Sequence, residues 1–207
     1  MEHKNEQLDS EEQILAAAIA IFQRDGFDGA RMLDIADTAK INKALLHYYY
    51  RSKEKLFQSV FNLLFKKLMK EMGDVMDSNA SLEDKIRMFF HKHISFMMLN
   101  PYMPGFIISE LNRNPQLVIN AMKESSQGVH FKGFVTQLKT EIEAGLIQDV
   151  DPLQLFVNML SLSVFPFGAR GMLMSVFNLD KEAFEKFVEQ RKSLCAELII
   201  SSIKIKQ

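Results

Sequence analysis

Apolar residues recur every three or four positions along most of the chain, the spacing that gives a helix one buried face. Ile14, Leu15, Ala18, Ile21 and Phe22 open the pattern behind Ser10 and Gln13, which read as a capping box, and Gly26 supplies a stop. Met32, Ile35, Ala36 and Ala39 predict a short second helix, and Asn42 is a good N-cap for a third. Ser52 caps a much longer helix striped by Phe57, Val60, Phe61, Leu64 and Leu68, with its polar end near Gly73 to Ala80.

Ser81 caps a further helix that Asn100-Pro101 must end, because proline clashes with the preceding turn and lacks the N–H to donate. Pro104, Pro115 and Pro152 stand where a first helical position is expected, the last two behind Asn114 and Asp151 as caps. A final helix opens at Asp180 and carries Phe184, Phe187, Val188, Leu194, Cys195, Leu198 and Ile199. No alternating strand pattern and no internal repeat compete with this reading, so the expected fold is all-α with about nine helices.

Composition narrows the class. Apolar residues are 47% and charged residues 25% of 207, which fits a globular chain and excludes disordered or collagen-like ones. The single cysteine, Cys195, allows no internal disulfide and reads as a small core or interface residue. The polar, acidic N-terminus lacks the basic flank and apolar run of a secretory signal, so a cytoplasmic protein is expected. Residues 152–169 carry no charge until Arg170, but Gln154, Asn158, Ser161, Ser163, Pro166 and Gly168 argue for a buried or interfacial helix over a membrane span.

The net charge of −1 is uninformative as a total and informative as a distribution. From Asp9 to Asp37 seven acids oppose Arg24 and Arg31. From Thr38 to Lys55 five bases (Lys40, Lys43, Arg51, Lys53, Lys55) oppose Glu54, beside His47 and the run Tyr48, Tyr49, Tyr50. On a wheel of about 100° per residue, Lys43, His47, Ala44 and Tyr48 fall within about 140°, leaving Leu46, Tyr49 and Tyr50 to pack. An ammonium, an imidazole, a phenol and a small residue on one open face suit a helix entering a DNA groove. A solvated lysine-rich face beside a tyrosine core has the same pattern.

Residues Ile14 to Phe57 resemble the DNA-binding domain of the TetR family of bacterial transcriptional regulators. The landmarks are Phe22 and Gly26-Phe27 at the end of the first helix, Asp34-Ile35-Ala36 in the second, and Asn42-Lys43-Ala44-Leu45-Leu46-His47-Tyr48-Tyr49-Tyr50 followed by Ser52-Lys53-Glu54. The resemblance implies a helix-turn-helix domain over residues 1–51 and a helical ligand-binding and dimerisation domain over 52–207. It implies that Lys43, His47, Tyr48 and Lys53 face phosphates, with Tyr48 serving either phosphate or base. Ala44 and Leu45 would approach base edges, and Leu46 and Tyr49 would belong to the core. Ala30-Arg31, Leu33 and Lys40 depart from the family pattern. Arg31 then takes over a backbone contact, and Lys40 stands where glycine is common, at a cost of about 1 kcal/mol if that backbone is left-handed and recoverable against a phosphate. Leu45 can touch a thymine methyl but cannot discriminate by hydrogen bonding.

Beyond Phe57 the resemblance is architectural. Phe89, His93, Phe96, Met97, Tyr102, Phe106, Phe131, Met159 and Phe165 are candidates to line a small-molecule site, since Met and Phe make adaptable apolar walls, although each fits a plain core equally. His91 and His93 point about 200° apart on a helix and do not share a metal. No cofactor, metal site or catalytic signature is found, so an enzyme is not expected. Residues 152–165 and 180–204, the last two long helices, are apolar enough to form a four-helix homodimer interface. They are separated by a break through Pro166, Gly168 and Gly171, and Arg170 inside it reads as an interface partner or a pocket cation, the interface preferred. The expected protein is a dimeric, ligand-responsive repressor of a palindromic operator in double-stranded DNA. The alternative is a helical small-molecule- or partner-binding protein that has lost sequence-specific DNA binding, which the departures at Ala30, Leu33 and Lys40 favour.

Overall fold

The computed structural model describes residues 2–113, 115–116, 119–120 and 131–205. Among these the chain forms ten helices, and the only extended pairing is an isolated bridge between Ile147 and Lys204. The all-α expectation holds. Two compact units divide the chain at residues 65 and 66.

The first unit contains α1 (Glu2–Gly29), α2 (Met32–Thr38), α3 (Lys43–Tyr49) and the start of α4 (Lys53–Met76). The Ser10 capping box does not form, because α1 already begins at Glu2 and Ser10 lies inside it. Residues 2–13 contain neither Pro nor Gly, so nothing local stops the helix from extending. Gly26 interrupts α1 with φ of 75°, a backbone that favours glycine. Ile14, Ala18, Ile21 and Phe22 from α1, Ile35 and Ala36 from α2, Leu46 from α3 and Leu56 and Phe61 from α4 are buried and supply the unit's core.

The second unit contains the rest of α4, then α5 (Leu82–Leu99), α6 (Met103–Arg113), α7 (Phe131–Glu143), α8 (Pro152–Gly168), α9 (Arg170–Val176) and α10 (Lys181–Ile203). Its helix starts follow the predicted punctuation. Ser81 Oγ accepts from Asp84 N, Asp151 Oδ1 from Gln154 N, and Asp180 Oδ1 from Ala183 N, at 3.2, 2.8 and 2.8 Å. Pro104 is the second residue of α6 and not the first, and the predicted cap Asn114 lies outside the described residues. Pro166 sits inside α8, and the break falls at Ala169, where α8 and α9 bend by 68°. No single described helix is long and apolar enough to cross a membrane.

α5 packs chiefly along α10, and α8 packs on both. Arg87 Nε donates to Glu197 at 2.9 Å, and Lys204 Nζ lies 3.0 Å from Glu83, so α5 and α10 run antiparallel. These two cations hold the Glu83 carboxyl below its usual range, Lys204 more than Arg87. Arg191 joins α10 to α8 by donating to the Leu162 carbonyl at 2.8 Å.

Candidate nucleic-acid interface

The turn between α2 and α3 is built by backbone hydrogen bonds. Ile41 N donates to Ala36 O at 3.0 Å and Lys40 N to Asp37 O at 3.1 Å, the paired bonds of a Schellman motif. That motif requires a left-handed residue at Lys40, and its φ is 57°. Glycine would occupy this position without the Cβ clash. Asn42 then turns the chain into α3, its side-chain oxygen accepting from Leu45 N at 2.7 Å.

α3 divides its faces sharply. Leu46 is fully buried, Leu45 and Tyr49 are half-buried, and Lys43, Ala44, His47 and Tyr48 are exposed. Tyr48 is 72% exposed, with its ring edge-on to Tyr49 at 5.7 Å. Arg31, Lys40 and Lys43 are exposed, and no described residue pairs with them. Together α2, the turn and α3 expose three unneutralised charges, an imidazole and a phenol, which can donate to phosphate oxygens and base edges.

Two residues behave in ways the sequence did not announce. The Tyr50 hydroxyl donates to Glu11 Oε1 at 3.0 Å, tying the end of α3 to α1, and burial together with this carboxylate pushes the phenol's pKa upward. Thirty-nine residues separate the pair, and no local pattern links them. Lys53 turns inward: its Nζ lies 3.2 Å from the Ala30 carbonyl and 4.6 Å above the Phe27 ring.

In the second unit, Phe89, His93, Phe96, Met97 and Met159 are buried, Phe106 is half-buried, and Tyr102 and Phe165 are exposed. The Phe131 side chain lies outside the described residues. His93 stacks on Phe89 at 5.2 Å, its Nδ1 has no hydrogen-bond partner, and burial pushes its pKa down to about 4. His91 is exposed on the opposite side of α5. Among the described residues no group of His, Cys, Asp or Glu is placed to hold a metal ion. An open groove of about 520 Å³ runs between α5 and α10, but it is lined by Arg87, His91, Lys92 and Lys192 and by none of the aromatic candidates. Arg170 lies 5.2 Å from the ring of Phe184.

Residues 14–60 match the family model for bacterial regulatory proteins of the tetR family. These residues form a tetR-family DNA-binding domain. Members of this family are transcriptional regulators and not enzymes. The chain is 34% identical over 95 residues to the HTH-type transcriptional repressor NicS of Pseudomonas putida, a match spanning 42% of the chain and 45% of NicS. Along most of its length it is similar to IcaR of Staphylococcus epidermidis, a negative transcriptional regulator of the biofilm operon icaADBC. The identity there is 24% over 88% of this chain and 95% of IcaR. Among solved structures, a TetR transcription regulator from Haloarcula marismortui superposes with a TM-score of 0.66 at 17% identity, covering 95% of this chain and 99% of that one. A TetR-family regulator from Marinobacter aquaeolei gives 0.58 at 14%, covering both chains fully. These likenesses establish the helical fold of both units.

Proposed function

We propose that the protein is a cytoplasmic, ligand-responsive repressor that binds a palindromic operator as a homodimer. The observation that carries this reading is the exposed face of α3, where Lys43, Ala44, His47 and Tyr48 stand together above a buried Leu46. Lys43 and His47 contact phosphates, Ala44 and Leu45 approach base edges, and Tyr48 reaches either. Arg31 and Lys40 hold the backbone at the start of α2 and at the turn. Residues 1–51 read DNA, and residues 52–207 bind effector and dimerise. Repression is favoured by the likeness to NicS, a transcriptional repressor, and to IcaR, a negative transcriptional regulator.

A seven-residue helix reads one half-site, so a specific operator calls for two. The dimer is supported by apolar side chains left exposed at helical spacing, Leu153, Val157 and Phe165 on α8 and Leu194 and Leu198 on α10. The effector site is supported by an unpartnered Nδ1 on buried His93 beside Phe89, on a helix that also buries Phe96 and Met97. An effector that binds one dimer geometry better than another shifts the population by that difference in affinity. α4 belongs to both units and is the element that carries the change.

The test is selection of duplexes from a random DNA library by the purified protein at physiological salt. A palindromic consensus is expected, and its half-site spacing reports the dimer. Weak, sequence-independent binding alone overturns the reading in favour of a helical binding module without operator recognition.

A further inference from the structure

Lys53 is the first residue of α4, where a positive charge is opposed by that helix's own dipole. Its ammonium folds back onto the end of α1. Nζ donates to the Asp28 carbonyl at 3.4 Å and the Ala30 carbonyl at 3.2 Å, and stands 4.6 Å from the centre of the Phe27 ring. The Phe27 ring meets Phe57 of α4 edge-on at 5.0 Å, and Phe57 meets Phe22 of α1 edge-on at 5.0 Å. The ammonium therefore sits on backbone carbonyls just beyond the Gly26 break in α1. Two carbonyl oxygens and an aromatic face are its partners, and at most one of its three N–H donors remains.

The Ala30 carbonyl belongs to the link between α1 and α2, and the next residue, Arg31, is the N-cap of α2. Fixing that carbonyl to α4 fixes where α2 begins. α3 packs on α2, so the placement extends to the exposed face of α3. Lys43 differs: it is exposed, and no described residue engages it.

We propose that Lys53 is a positioning residue of the DNA-reading unit, clamping the end of α1 and the start of α2 to α4, and that it does not contact a phosphate. This rests on the DNA-binding reading above and assigns one residue a different part in it. The salt dependence of binding separates the two roles, because a lost phosphate contact reduces the slope of log affinity against log salt by about 0.9 per protomer bound. A lost clamp lowers affinity equally at every salt concentration.

The experiment titrates the full-length protein and its Lys53→Gln, Lys53→Met and Lys43→Gln variants with a selected duplex over a series of salt concentrations. It also measures the unfolding midpoint of each variant without DNA. Lys43→Gln should reduce the slope. Lys53→Met should keep the wild-type slope, bind about tenfold more weakly throughout, and unfold at a lower temperature in the absence of DNA. Lys53→Gln should keep the slope with a smaller loss, because its amide still donates to the carbonyls. Should Lys53→Met fail to fold, that supports the clamp, and Lys53→Gln supplies the slope. A slope reduced in Lys53→Gln as in Lys43→Gln overturns the proposal. If the wild type shows no salt-dependent duplex affinity, the DNA-binding reading fails by itself. The midpoints then decide the clamp, a lowered one supporting it and an unchanged one refuting it.

Discussion

Leu46 and Tyr48 stand two residues apart on α3 and face opposite ways, Leu46 with no exposed surface and Tyr48 72% exposed. Their substitutions should therefore separate stability from recognition. Leu46→Ala leaves a cavity and should cost about 2–5 kcal/mol. Tyr48→Ala should change stability by no more than about 0.5 kcal/mol yet weaken binding to a selected duplex. Urea unfolding and duplex titration on both variants check this. Equal losses of stability would contradict the two-faced helix.

Lys40 holds φ of 57° in the Schellman turn. Lys40→Gly removes the Cβ penalty and should stabilise the first unit by about 1 kcal/mol. It also removes an exposed charge, so DNA affinity should fall while stability rises. Paired urea melts and binding curves test the opposed signs. A glycine variant that is less stable than wild type would show that the lysine side chain contributes more than the strain costs.

His93 gives the second unit a dependence on acid. Its pKa is about 4 in the fold against 6.5 when exposed, because burial disfavours the imidazolium and no partner compensates. The unfolded chain binds the proton first, so stability is complete above about pH 6.5 and falls as the pH drops toward 4. The loss attributable to His93 should approach about 3 kcal/mol near pH 4. Unfolding free energies of wild type and His93→Phe over this range should converge at low pH if His93→Phe is the less stable at neutral pH, or diverge if it is the more stable. Parallel curves would remove His93 as the titrating group.

Leu194 and Leu198 are 64% and 57% exposed on α10, four residues apart and on one face. The double substitution Leu194→Glu, Leu198→Glu should leave the protomer folded and halve the mass measured by light scattering. Affinity for a two-half-site duplex should collapse toward that of a single half-site. A variant that remains dimeric would move the interface away from α10.

What the sequence determined by itself is what depends on neighbours within a few residues. The helices, the caps Asn42, Ser52, Ser81, Asp151 and Asp180, and the opposed faces of α3 follow from helical period and side-chain capping. The family landmarks lie in one unbroken run of residues and were legible for the same reason. Only the tertiary structure decided where long side chains end. Lys53 looks like a free cation in the sequence, and its ammonium reaches the carbonyls of residues 23 and 25 positions earlier because chain folding brings the end of α1 beneath it. Tyr50 finds Glu11 in the same way. In the second unit, apolar spacing marked Met159 and Phe165 alike, yet packing buries the first and leaves the second 58% exposed. Period gives a residue its place on a helix, while the partner a side chain meets is fixed by helix packing between segments far apart in the chain.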